Sequence, residues 1–492
     1  MTRILLTIIT LSALWGNQSL EAFSLAGPRP PWMSEPAPSS SACYSGTTGP
    51  MNINEEYRIN VPVLFYGVTA DFATHFGLRG IQEMRKAVAL ISDVPSAEQI
   101  DIDSYPTQSF RVNHRARALG LVDIKSVALQ ALLHTMGLED PIEYVYAPRD
   151  AWIVNGFVVE YYMTVRNFDP VTLRQSPYIN NTLYTYTRQG CPLVFPVDPV
   201  ERLFPRTTPS AALRRGNIAL HEASAGTYLT GLTRDDVGAI KYIYNPKNYN
   251  METVPPGISG SGGGGGVAVG GGGGPFDFPG FGGGAGGGAY DSAVIITNTI
   301  AGGGLGQGQG QGVATNAFIN PAVRGGIGDV SFVEANYDSL MGEFFVSRTV
   351  QYRDTVVTNG TTRSQQLIRT VTEPDIIFDA KDLQGAFAST PVPPTFLVYE
   401  KLDVNWTNSD PFDGTAGNED GPGIIGGTRF TFNTVTPWIP GFPDATGSFL
   451  DDGSFGAFSV HMWGAFDGTT DDPVIFPIGT EFEELESLIF SR

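Results

Sequence analysis

Apolar positions along the chain fall into two periods, and the elements they predict change from mixed to β as the chain proceeds. Ile59–Tyr66 reads as a strand. From Gly77 to Val94, Ile81, Met84, Val88 and Ile91 recur at helical spacing. A second helix is predicted over Asp123–Met136, followed by a β-rich, aromatic stretch from about Ala151 to Thr187. A third helix begins at Thr233, where Thr233-x-x-Asp236 has the form of a capping box. Val237, Ile240, Ile243 and Tyr244 would form its buried face.

After residue 250 the pattern changes. Between Gly257 and Gly312 glycine dominates, and such a composition buries too little apolar surface to offset chain entropy. Residues 251–315 are therefore expected to be a linker. Beyond it, Phe344–Val357 and Thr361–Thr372 flank Thr358-Asn359-Gly360, and Asn-Gly favours a type I′ hairpin turn. Further strands are expected at Thr395–Val404, Thr428–Val435 and Phe458–Gly464. The expected fold class is α+β. A first domain over 57–250 would hold a mixed sheet and three helices, with a β-rich insertion at about 141–215. A second domain over 316–492 would be all β and sandwich-like.

Length and charge narrow the picture. At 492 residues the chain exceeds one ordinary core, so two or more domains are expected. A formal net charge of −20 argues against a nucleic-acid partner, because phosphate binding relies on Lys and Arg. At the N-terminus, Arg3 and the apolar run Ile4–Trp15 read as a leader for export spanning 1–26. The run is shorter than the roughly 20 residues that cross a bilayer. Ser24 and Ala26 fit a small-residue cleavage pattern, with Ala22 as a second candidate. A Pro- and Ser-rich lead-in covers 27–56. A secreted, periplasmic or cell-surface location follows, with no integral membrane segment in the mature chain. The two cysteines, Cys43 and Cys191, are then a disulfide candidate; two free buried thiols are the alternative.

The chemistry centres on Asp123-Ile-Lys-Ser-Val-Ala-Leu-Gln-Ala-Leu-Leu-His-Thr-Met-Gly-Leu-Glu-Asp140. This segment resembles the active-site helix of the matrixin-type metzincin proteases, H-E-x-x-H-x-x-G-x-x-H. In that pattern two His one helical turn apart reach one zinc, and the Glu between them activates zinc-bound water. The resemblance puts the first ligand position on Gln130, the general-base position on Ala131 and the second ligand on His134. The turn glycine falls on Gly137 and the third ligand on Asp140. Leu232–Tyr244 resembles the closing helix of the same family, and Val61–Tyr66 with Gly80–Ala87 resembles its first strand and helix. An Asp-capped apolar helix ending in glycine also forms without any metal.

The resemblance thus implies a degenerate site. Ala131 cannot accept a proton, so no catalytic residue and no cofactor are expected, and the chain reads as a pseudo-metalloprotease. Its partner would be an extracellular protein or glycan. The alternative is a divergent secreted zinc endopeptidase using His134, Asp140 and His221, with Glu222 as base. The pairs Asp235-Asp236, Asp451-Asp452 and Asp471-Asp472 could bind calcium, but the first fits a helix N-terminus and the other two fit acidic loops.

Overall fold

The structure, a computed structural model, describes residues 22–25, 53, 56, 58–139, 141, 145–154, 157–189, 193–197, 225–252, 254, 258–260, 295–298, 319, 322–335, 337–338, 344–380, 397–398, 406–407, 418–419, 428–432 and 462–479. These residues form a mixture of helix and sheet.

Elements in chain order are β1 (Ser24–Leu25), β2 (Val63–Val68), α1 (Ala70–Ser92), β3 (Phe110–Val112), α2 (His114–Ala118), β4 (Leu121–Asp123), α3 (Ile124–Thr135) and β5 (Leu138–Glu139). Then come the hairpin β6 (Ala147–Val154) and β7 (Phe157–Thr164), β8 (Thr227–Leu229) and α4 (Arg234–Ile243). The remainder used below is β9 (Asn250–Glu252), β10 (Ala322–Arg324), β11 (Ser331–Glu334), β12 (Arg348–Thr358), β13 (Thr361–Val371), β14 (Ile376–Asp379), β15 (Leu397–Val398), β16 (Thr428–Thr431) and β17 (Met462–Ala465).

The helices expected from periodicity are present. α1 starts earlier than the pattern indicated, because Thr69 caps a first segment by accepting the Phe72 N–H at 3.2 Å. Gly77, at φ +57° and ψ −164°, breaks the helix between the two segments. Met84, Val88 and Ile91 are buried as expected, and Ile81 is half-buried against the core. The long hairpin is β12–β13, turning at Asn359 (φ +50°) and Gly360 (φ +70°), the left-handed pair that a type I′ turn requires.

The strand pairing crosses the boundary drawn from composition. β2 reads Val-Leu-Phe-Tyr-Gly-Val and is buried almost throughout, the signature of a central parallel strand rather than a half-solvated one. Its neighbours are β11 on one side and β14 on the other, both parallel. β16 follows in parallel and β15 closes the edge antiparallel, giving the order β11-β2-β14-β16-β15. Four of these five strands follow the Gly-rich tract, and one precedes it. β4, just before α3, likewise pairs in parallel with β17. The described strands of residues 316–492 therefore do not stand apart as a sandwich. The physical reason is that β2 exposes both edges and two apolar faces, and the flanking strands it needs are supplied only by the later chain.

A second sheet, all antiparallel, runs β9-β10-β12-β13 with Ile258–Gly260 at its far edge, and Ile295–Asn298 also pairs with β12. One core cluster spans both halves of the sequence, from Phe23 to Phe476. Phe432 stands in it within ring contact of Phe72, Phe76, Phe378 and Trp463, at centroid distances of 5.3–6.4 Å. α1 lies over the five-stranded sheet and packs against α3.

Residues Ala22–Leu25, inside the expected leader, belong to this core: Ala22, Phe23 and Leu25 are fully buried. Among the described residues no helix is long and apolar enough to cross a membrane.

Candidate functional site

α3 is buried along its whole length, so its side chains meet only protein. Asp123 caps it: one carboxylate oxygen accepts the Ser126 N–H at 3.0 Å and the Ser126 hydroxyl. That hydroxyl oxygen in turn accepts the Leu229 N–H of β8 at 2.8 Å, which fixes the neighbouring strand to the first turn of α3.

The other end is held as firmly. Met136 is the C-cap, and Gly137 at φ +97° lets the chain leave in the left-handed conformation. Tyr244, just beyond α4, donates its hydroxyl to the Met136 carbonyl at 2.8 Å. The residue following α4 thereby anchors the C-terminal end of α3.

Gln130, Ala131 and His134 lie on this helix with 1%, 5% and 3% of their surfaces exposed. His134 Nδ1 is 2.9 Å from the Leu138 carbonyl oxygen. A carbonyl only accepts, so Nδ1 carries the proton and Nε2 is the nitrogen left to act as a donor atom toward a ligand. Nε2 is buried without a hydrogen-bond partner among the described residues. The Glu139 carboxylate is 3.8 Å from Nδ1, beyond hydrogen-bonding range.

A zinc ion is required by the peptidase alternative alone, and it would need donors from this set. Asp140, His221 and Glu222 lie outside the described residues, as do Cys43 and Cys191. What remains is one imidazole, one carboxamide at Gln130 and a methyl at Ala131. Among the described residues no three His, Cys, Asp or Glu converge to hold a metal ion. The described donors do not amount to a zinc set, and no catalytic step is derived through one.

Asp235, Asp236 and Asp472 are otherwise engaged. Asp236 completes the capping box of α4 by accepting the Thr233 N–H at 2.8 Å and the Thr233 hydroxyl. Asp235 accepts the N–H groups of Ala22 at 3.0 Å and Asn180 at 2.7 Å. Asp472 forms an ion pair with Arg115, and the Asp471 carbonyl accepts from the Asn113 side chain at 2.9 Å. Asp451 and Asp452 lie outside the described residues. Of the remaining histidines, His75 packs edge-on against Phe76, His114 opens α2, and His461 is outside the described residues.

Two charged clusters escaped the sequence reading. In the first, Lys125 on α3 and Lys86 on α1 both reach Asp467, and Lys86 also bonds Glu83 at 3.0 Å. Burial would raise the Asp467 carboxyl, but the two ammonium groups hold it down at about 2. Asp123, fully buried nearby, is pushed up to about 6 by burial, with Glu83 adding to the rise and Lys125 and Ser126 opposing it. In the second, buried Arg58 pairs with Glu252 and donates to the carbonyls of Ile243, Asn248 and Arg324 at 2.8–3.1 Å. Arg324 continues the chain of charges to Asp354 at 3.1 Å. The one local signal was Lys125, the only Lys, Arg, Asp or Glu in a fully buried helix. Its partner lies 342 residues away.

No family model, curated protein or solved structure matches this chain.

Proposed function

We propose that the chain is an exported, non-catalytic protein in which a metzincin-like scaffold serves as a binding or structural module for an extracellular protein or glycan. The observation that carries this reading is Ala131. It occupies the position where the family has its general base, on a helix whose every residue is buried. A methyl group cannot take a proton from water. The tight anchoring of both helix ends favours a scaffold that holds shape rather than one that opens.

His134 favours a second reading, a divergent secreted zinc endopeptidase. Its Nδ1–H is fixed by a backbone carbonyl, which aims Nε2 as metal-ligating histidines are aimed. Metal analysis of the purified full-length chain decides between the two. No bound zinc, and no casein degradation, is the outcome expected of the scaffold. About one zinc per chain, lost in His134→Ala together with chelator-sensitive casein degradation, overturns it in favour of the peptidase.

A further inference from the structure

The expected leader, 1–26, overlaps residues that the fold uses. Ala22, Phe23 and Leu25 have 0% of their surface exposed and Ser24 1%. Separate parts of the chain hold them. Asp235, in the first turn of α4, accepts the Ala22 N–H at 3.0 Å, and its other oxygen accepts the Asn180 N–H at 2.7 Å. Phe23 pairs with Phe168 through both backbone groups, its N–H donating at 3.1 Å and its carbonyl accepting at 2.9 Å. Its ring stacks on Tyr242, in the last turn of α4, at 5.4 Å between centroids and 26° from parallel. Ser24 and Leu25 form β1, antiparallel to Glu139 and Leu138 directly after the turn that ends α3.

These four residues therefore touch α4 in its first turn and its last, and tie it to the strand that leaves α3. Losing them would open the apolar surface under Phe23 and Leu25 to water and leave β5 without its only described strand partner. The small residues expected to mark a cut, Ala22, Ser24 and Ala26, lie within this segment or just after it, so a cut at any of them removes part of it. We propose that Ala22–Leu25 stays in the mature chain as a strap that fastens α4 to the turn after α3, and that any leader ends upstream of Ala22. The strap is short and its contacts are confined to neighbouring elements. Its release is then a local opening of α4 and β5, with the long hairpin β12–β13 left intact.

The strap stands independently of export, and one experiment reads the two separately. The full-length chain is produced with its own leader in an exporting bacterium. The purified protein is characterised by N-terminal sequencing and intact mass, and native-state hydrogen exchange compares wild type with Phe23→Ala. A start at or upstream of Ala22 is expected. Amides of β5 and α4 should exchange at least tenfold faster in Phe23→Ala, while those of β12–β13 keep their wild-type rates. Leu25→Val gives the same pattern more mildly if Phe23→Ala does not fold. A processed start at Phe23 or beyond overturns the strap and leaves export standing. An intact chain starting at Met1 keeps the strap and overturns the export reading. Exchange in the variant that is unchanged in α4 and β5, or raised equally throughout the chain, overturns the strap whatever the start.

Discussion

Asp123 does three things at once: it caps α3, holds Ser126, and through Ser126 ties β8 to the helix. Burial makes its charged form costly, which sets a pH dependence with a definite sign. Its folded value of about 6 stands above the usual 3.8 of the unfolded chain. Between those values the folded chain binds more protons than the unfolded one, so stability contributed by Asp123 grows as pH falls from about 6 toward 4. It is fully present below 3.8 and lost as pH rises through about 6. A shift of this size corresponds to about 3 kcal/mol at full amplitude. Urea titrations at pH 7.5 and 4.5 should show Asp123→Asn lacking most of this gain relative to wild type. Equal pH dependence in both proteins would mean that Asp123 stays ionised. Asp467 acts in the opposite sense at lower pH, its contribution fading as pH falls through about 2. Half-buried His75, its value lowered by burial, also weakens the fold as pH falls below its usual 6.5. The comparison of variant with wild type cancels both.

At the scale of elements, the joins are made by charge as much as by apolar packing. Arg58 lies on no regular element, yet it binds the end of α4, the turn at Asn248, β9 and β10 together. Glu252, its partner, is raised by burial and drawn back down by Arg58 and Arg324. Removing one member of a buried pair leaves the other charged and unsolvated. Arg58→Met should therefore destabilise the chain by about 3–5 kcal/mol in urea unfolding, and Arg58→Met with Glu252→Met should recover a large part of it. A double variant no better than the single one would show that the backbone carbonyls, rather than the carboxylate, are what Arg58 serves. The helices themselves needed no such help to be legible. Thr233 and Asp236 gave the start of α4, and Asn359-Gly360 gave the turn of β12–β13, because capping and turn chemistry act within a few residues.

At the scale of the whole molecule, the Gly-rich tract reads as a division in the sequence, while the central sheet is continuous across it. β2 contributes one strand and the later chain contributes β11, β14, β16 and β15. Phe432, in ring contact with Phe72 and Phe76, seals the same junction. A protease that nicks the chain within 261–294 should accordingly yield two fragments that co-elute in native size-exclusion chromatography and part only in denaturant. Fragments that separate without denaturant would contradict the shared sheet.

The sequence by itself determined the second segment of α1, from Gly77 on, the helices at 124–135 and 234–243 and the long hairpin, because periodicity, caps and turn residues are local and each is written within a few positions. It also determined that position 131 carries a methyl group and no carboxylate, since a residue's identity needs no fold. Only the tertiary structure decided that Phe23 and Leu25 are core, that Lys125 meets Asp467, and that β2 lies between strands from the far end of the chain. Those contacts gain their energy from surfaces brought together over hundreds of residues. Neither the apolar period of a strand nor the sign of a charge names the partner that will cover it.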